Sequence, residues 1–161
     1  MKRILITGMS GTGKSTVIAE LAARGKKAVD LDYADYSFEA TGVDAATGLP
    51  VRDWLWREER MKELLDIEDV DVLFVGGTAS NQAKFYSRFD HVVLLTAPDD
   101  VMAGRMMKRT NNRYGKEPAD VARQLSLKKV VEPWLRGAAD LEVDTVAPMD
   151  EVVAAILQLA R

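Results

Sequence analysis

The segment Gly8-Met9-Ser10-Gly11-Thr12-Gly13-Lys14-Ser15 constrains this chain more than any other stretch. It fits G-x-x-x-x-G-K-[ST] without a mismatch. It also lies between the apolar run Ile4-Leu5-Ile6 and a helical stripe of Val17, Ile18 and Leu21, the setting in which that motif has a mechanism. Glycines allow backbone conformations and close approaches that a Cβ forbids. Successive N–H groups can then wrap phosphate at the positive end of a helix that begins near Lys14. The chain must therefore run strand, tight loop, helix in direct succession. In such a loop the Lys14 ammonium serves the β- and γ-phosphates and the Ser15 hydroxyl serves Mg²⁺. Gly8 through Thr16 form the candidate nucleotide-binding set, with Met9, Ser10, Gly11, Thr12 and Gly13 contributing backbone.

The rest of the chain repeats this alternation. Ala28-Val29, Val72–Val75, Val92–Leu95 and the weaker Leu141–Val143 are short apolar runs. Helical spacing is read over Lys14–Arg24, Asp53–Asp66, Asp99–Arg109, residues 118–136 and Met149–Ala160. Continuous apolar runs suit strands covered on both faces, and intervening helices suit parallel crossovers. The expectation is an α/β, three-layer αβα domain over 1–161 with a five-stranded parallel sheet. Ligands should lie beyond the carboxyl ends of its strands. With 47% apolar and 29% charged residues in 161, the chain has material for one core. The absence of cysteine removes disulfides and thiolate chemistry, and a net charge of −3 argues against nucleic-acid binding. No apolar run reaches the roughly 18–20 residues of a membrane span, so a cytoplasmic protein is expected.

Asp30 and Asp32 follow the second apolar run and fall at a strand's carboxyl end. Because Gly76-Gly77 stands where the third core strand would carry an acid, a carboxylate after the second strand is the better metal candidate. Mg²⁺ takes hard oxygens and keeps several waters, so Ser15 and Asp30 are the metal candidates. Asp32 is placed to hold or deprotonate an acceptor hydroxyl. Gly76-Gly77 offers backbone to an acceptor or makes a tight strand exit. Residues 105–116 carry five basic residues and no acid, broken by Asn111, Asn112 and Gly115. This reads as a basic, mobile lid at about 109–118, with Arg109 and Arg113 facing the transferred phosphoryl group. Arg57, Arg60 and Arg136 are either surface groups or fork-shaped donors for an acidic acceptor. Trp54, Trp56 and Trp134 line a pocket or fill a core, and His91, at the start of an apolar strand, is read as structural.

These elements resemble the small P-loop kinases, the shikimate kinase and nucleoside monophosphate kinase group. Lys14-Ser15-Thr16 matches that group's phosphate loop, and Asp30-Leu31-Asp32 matches the Asp-x-Asp element of shikimate kinases. Gly76-Gly77 matches the glycine-rich acceptor loop, with Thr78 in place of its third glycine. Arg109-Thr110 opens a lid-like segment, and Val143-Asp144-Thr145 resembles the adenine-side loop, which puts Asp144 among the nucleotide contacts. Arg57 and Arg136 fall where shikimate kinases place acceptor-binding arginines. Residues 79–93 look more like certain atypical adenylate kinases. The resemblance implies a strand order of 2-3-1-4-5, ATP and Mg²⁺ as cofactors, and a monomer or weak homodimer that binds neither nucleic acid nor membrane. It implies transfer of the ATP γ-phosphate to a small acceptor, a shikimate-like hydroxyl metabolite first. A nucleoside monophosphate (adenylate-type) kinase, and an NTP-binding switch or ATPase without an acceptor, stay open beside it. On the acceptor side this expectation rests on Asp32, Arg57, Gly76, Gly77, Thr78 and Arg136.

Overall fold

A computed structural model describes residues 1–33, 35–43, 45–109 and 116–161. The core is a parallel sheet of β1 (Lys2–Thr7), β2 (Lys27–Asp30), β5 (Val72–Gly76), β6 (His91–Thr96) and β7 (Leu141–Asp144), in the order β2-β5-β1-β6-β7. Counted among the core strands alone, this is the expected 2-3-1-4-5. Ile4 stands between Phe74 on one side and His91 on the other. β1 is central, so Ile4, Leu5 and Ile6 are fully buried.

The two-residue period of β1 separates the layers. Ile4 and Ile6 join Val17, Ile18 and Leu21 of α1 (Lys14–Ala23) and Val152, Val153 and Ile156 of α5 (Met149–Gln158). Leu5 points the other way, to Met61, Leu64 and Leu65 of α2 (Glu58–Leu65). A third cluster joins Met9 and Leu94 to Met102 of α3 (Asp99–Lys108) and Leu135 of α4 (Pro118–Ala138). Each fully buried side chain of this kind contributes roughly 1.5–3 kcal/mol of transfer free energy. Among the described residues, no helix is long and apolar enough to cross a membrane.

One expectation is corrected. Asp53–Asp66 is not one helix, because Asp53–Trp56 belongs to β4 (Pro50–Trp56), which pairs antiparallel with β3 (Ser37–Val43) in a separate two-stranded sheet. Trp54, Leu55 and Trp56 carry aromatic and apolar bulk that suits a pleated surface. Pairing Ser37 with Trp56 through to Val43 with Pro50 gives them a partner that a helix would lack. Gly48, at φ +70°, supplies the left-handed residue of the connection. Trp56 ends the strand in the core, and α2 starts only at Glu58.

Candidate nucleotide and acceptor site

β1 ends at Thr7, and the glycine-rich loop turns directly into α1, whose N-cap residue Gly13 is left-handed at φ +95°. No side chain caps that N-terminus, so its first-turn N–H groups are left for a ligand. The loop is braced from three directions. The Thr12 hydroxyl donates to the Met9 carbonyl at 2.7 Å. The Thr145 hydroxyl donates to the Thr12 carbonyl at 2.7 Å, and Arg105 donates to Thr145 at 2.7 and 2.9 Å. On the other flank the Thr78 hydroxyl donates to the Gly8 carbonyl at 2.6 Å and accepts from the Gly8 N–H at 3.2 Å. A loop fixed this way presents preformed dipoles.

Lys14 is buried, and its ammonium donates to the carbonyls of Gly8 (2.7 Å) and Met9 (3.0 Å). Burial pushes its pKa below the ordinary lysine value, while the negative charges of Asp32 and Asp30 work the other way. Burial also raises the carboxyl of Asp32 above the usual carboxylate range, with Asp30 adding to the rise. Lys14, Arg109 and a hydrogen bond from the Trp54 side chain oppose it. Lys14 and Asp32 thus form a desolvated pair whose charges depend on each other.

One cavity of about 1690 Å³ joins these parts. On the β6–β7 side of β1 it is lined by Arg105, Lys108 and Arg109 of the α3 region, by Arg123 of α4 and by Thr145. On the β2–β5 side it is lined by Asp32, Thr78, Tyr86 and the hairpin residues Glu39, Arg52 and Trp54. Arg109 reaches back to the Ser10 hydroxyl at 2.9 Å, so the start of the basic stretch stands over the loop. Arg113 and most of the expected lid lie outside the described residues.

Ser15 lines both this cavity and a smaller cleft of about 450 Å³ that also holds Thr16, Asp30 and Tyr33. Asp30 accepts the Asp32 N–H at 3.0 Å, which fixes the two carboxylates in one turn. The donors here are a hydroxyl and carboxylates, all hard oxygens. Among the described residues no group of three His, Cys, Asp or Glu could cage a metal. That donor set fits Mg²⁺, which takes one or two protein oxygens and completes its shell with water and phosphate.

The remaining expected residues are placed differently. Gly76 and Gly77 do not line the cavity; both are buried at the strand exit. A Cβ on Gly76 would stand 2.4 Å from Ile18, and one on Gly77 would stand 2.9 Å from Leu31. The smallness of Gly76 lets β5 pass under Ile18 of α1 and that of Gly77 makes room for Leu31, while Thr78, the next residue, does face the cavity. Arg57 precedes α2 with its guanidinium 5.0 Å above the Phe38 ring, outside the cavity lining. Arg136 pairs with Glu132 (3.1 Å) and Glu142 (2.8 Å), whose carboxylates raise its pKa further, and it too stands away from the cavity. Asp144 accepts the Val146 N–H at 2.9 Å, and its neighbour Thr145 faces the loop instead. The sequence marks Arg105 only as the first cation of the basic 105–116 run, not as the brace of Thr145. Of the tryptophans read as pocket or core, Trp54 and Trp134 line the cavity and Trp56 is in the core. The hairpin residues Glu39 and Arg52 were missed with the hairpin itself, although the turn glycine Gly48 carries a signal for it.

The phosphate loop, its buried lysine and the 2-3-1-4-5 sheet define a P-loop nucleotide-binding protein with the fold of the small kinases. The sequence pattern of the AAA domain family matches residues 4–126. The chain belongs to that family. No curated protein matches it. Among solved structures, shikimate kinase from Acinetobacter baumannii in complex with shikimate is similar at a TM-score of 0.68 and 23% identity, covering 99% of this chain and 92% of that one. Shikimate kinase from Bacteroides thetaiotaomicron gives 0.65 at 18% identity, covering 98% and 97%. Deoxyadenosine kinase from M. mycoides with bound dATP gives 0.60 at 14% identity, covering 97% of each chain. At these identities the likeness is one of fold.

Proposed function

We propose that the protein is an ATP- and Mg²⁺-dependent phosphotransferase that moves the γ-phosphate of ATP to a hydroxyl of a small metabolite, of the shikimate-like kind first expected. One observation carries this reading. Lys14 and Asp32 face a single cavity of about 1690 Å³, larger than the roughly 300–1,000 Å³ usual for one small ligand, so a nucleotide and a second molecule fit side by side. In this reading the loop N–H groups and Lys14 hold the β- and γ-phosphates, and Arg109 and Arg113 spread the charge of the moving phosphoryl group. Asp32 accepts the proton of the acceptor hydroxyl as that oxygen bonds to phosphorus and ADP leaves. Ser15 and Asp30 would hold Mg²⁺, which supplies charge neutralisation at the phosphates. A half-buried carboxylate beside the loop favours a hydroxyl acceptor over a nucleoside monophosphate, which needs no base.

The test is whether ATP turnover depends on an acceptor. With Mg²⁺ and a panel of sugars, cyclic polyols, nucleosides and nucleoside monophosphates, ADP release is expected to rise at least tenfold with one class of hydroxyl compound. Turnover that is the same with every compound and with none would make the protein an ATPase or nucleotide switch instead.

A further inference from the structure

The acceptor end of the cavity is built with the opposite charge from the nucleotide end. On the β6–β7 side of β1, the described lining residues include the cations Arg105, Lys108, Arg109 and Arg123 and the carboxylate of Asp100. On the β2–β5 side the described lining holds the carboxylates of Asp32, Glu39 and Asp53 against Arg52, with Lys14 of the loop facing Asp32. Arg52 faces Glu39 across the hairpin at 3.7 Å.

Among the described residues, the hairpin keeps one further arginine, Arg57, out of this lining. Strand residues alternate faces, so the paired Glu39 and Trp54, and the paired Thr41 and Arg52, share one face. Glu39, Trp54 and Arg52 of that face line the cavity. Phe38 and Leu55 lie on the reverse face, where the Arg57 guanidinium sits over the Phe38 ring. Arg57 is thus behind the wall. Arg136 is held by Glu132 and Glu142 on another surface. An acceptor carboxylate or phosphate wants fork-shaped donors, and both arginines with that expected role point elsewhere. Trp54, 40% exposed, offers the cavity a flat aromatic face, and its side chain hydrogen-bonds to Asp32.

Building on the phosphotransfer reading, we infer that the acceptor is a hydroxyl compound without an anionic group, uncharged or amine-bearing, selected by the acid-lined hairpin side of the cavity, where Glu39 and Trp54 share one strand face and Asp53, on the other, lines the cavity beside Ser80. Like-charge juxtaposition against Asp32, Glu39 and Asp53 rejects an acidic analogue of the same shape.

The experiment uses matched pairs that share a hydroxyl scaffold and differ in charge: methyl shikimate against shikimate, adenosine against AMP, and glucosamine against glucose 6-phosphate. Two readouts are taken with the full-length protein: kcat/KM from ADP release with MgATP, and Kd by calorimetry with Mg²⁺ and a non-hydrolysable ATP analogue. The non-anionic member of whichever pair the protein uses is expected to lead at least tenfold in both. The E39Q/D53N double variant should narrow that lead at least threefold. Should D53N disturb folding, as a melting curve would show, E39Q alone tests the same point at an exposed position. Preference for an anionic member, an unchanged lead in the variants, or no binding by any member would overturn the inference. Tight binding of a non-anionic member without phosphate transfer would leave the acceptor class standing and overturn the phosphotransfer reading.

Discussion

Replacing Lys14 with Ala is expected to lower kcat for ATP turnover by about 10²–10³-fold, the loss that follows removal of one preorganised charge-stabilising donor. Lys14 is buried and held by the Gly8 and Met9 carbonyls, so its ammonium is in position before any nucleotide arrives. An incoming phosphate takes over a donor that is already desolvated, and little reorganisation is left to the reaction itself. Lys14→Arg should rescue poorly, because a planar fork does not fit the two-carbonyl seat of a compact ammonium. Lys14→Ala also removes the largest opposing influence on the raised Asp32 carboxyl. The acid limb of any residual activity should therefore move to higher pH. Steady-state kinetics across pH measures both effects; unchanged turnover would remove the phosphate-loop assignment.

Replacing Asp32 with Asn is expected to slow phosphoryl transfer by about 10²–10⁴-fold, the usual worth of a positioned general base, with the KM for ATP little changed. Burial places the Asp32 carboxyl above the ordinary carboxylate range. The wild-type rate should therefore rise with pH through that elevated value, and the variant should lose that limb. The sign for stability is opposite. Between the ordinary and the elevated value the folded protein holds a proton that the unfolded chain has released, so stability declines as pH rises across that window. Asp32→Asn should remove that decline, which melting curves at a series of pH values would show. A loss of only a few-fold in transfer would favour a phosphate acceptor, which needs no base.

Much of this arrangement is readable before folding. β1, β5 and β6 are buried on both faces, so Ile4–Ile6, Val72–Val75 and Val92–Leu95 appear as unbroken apolar runs. The phosphate loop is legible because its glycines and lysine act through the backbone and one side chain at fixed spacing. The hairpin is harder to read. Its strands are half-exposed, and Trp54, Leu55 and Met61 fall by coincidence at helical intervals with the true helix α2 behind them. Where Arg57 and Arg136 point was hidden for a related reason. Arg57 and Arg136 have the right residue type, but strand alternation puts Arg57 over Phe38, and Glu132 and Glu142 capture Arg136. Gly76-Gly77 has two physical uses that look alike in one dimension, and only the 2.4 Å approach to Ile18 separates packing from ligand contact.

The central claim, that this cavity transfers phosphate between two bound molecules, is tested most directly by following the label of γ-³²P-ATP in the presence of Mg²⁺ and a non-anionic hydroxyl acceptor. The account predicts that label enters the acceptor mole for mole with ADP formed, and that little appears as inorganic phosphate. Label found entirely as inorganic phosphate, at a rate the acceptor does not change, would contradict it.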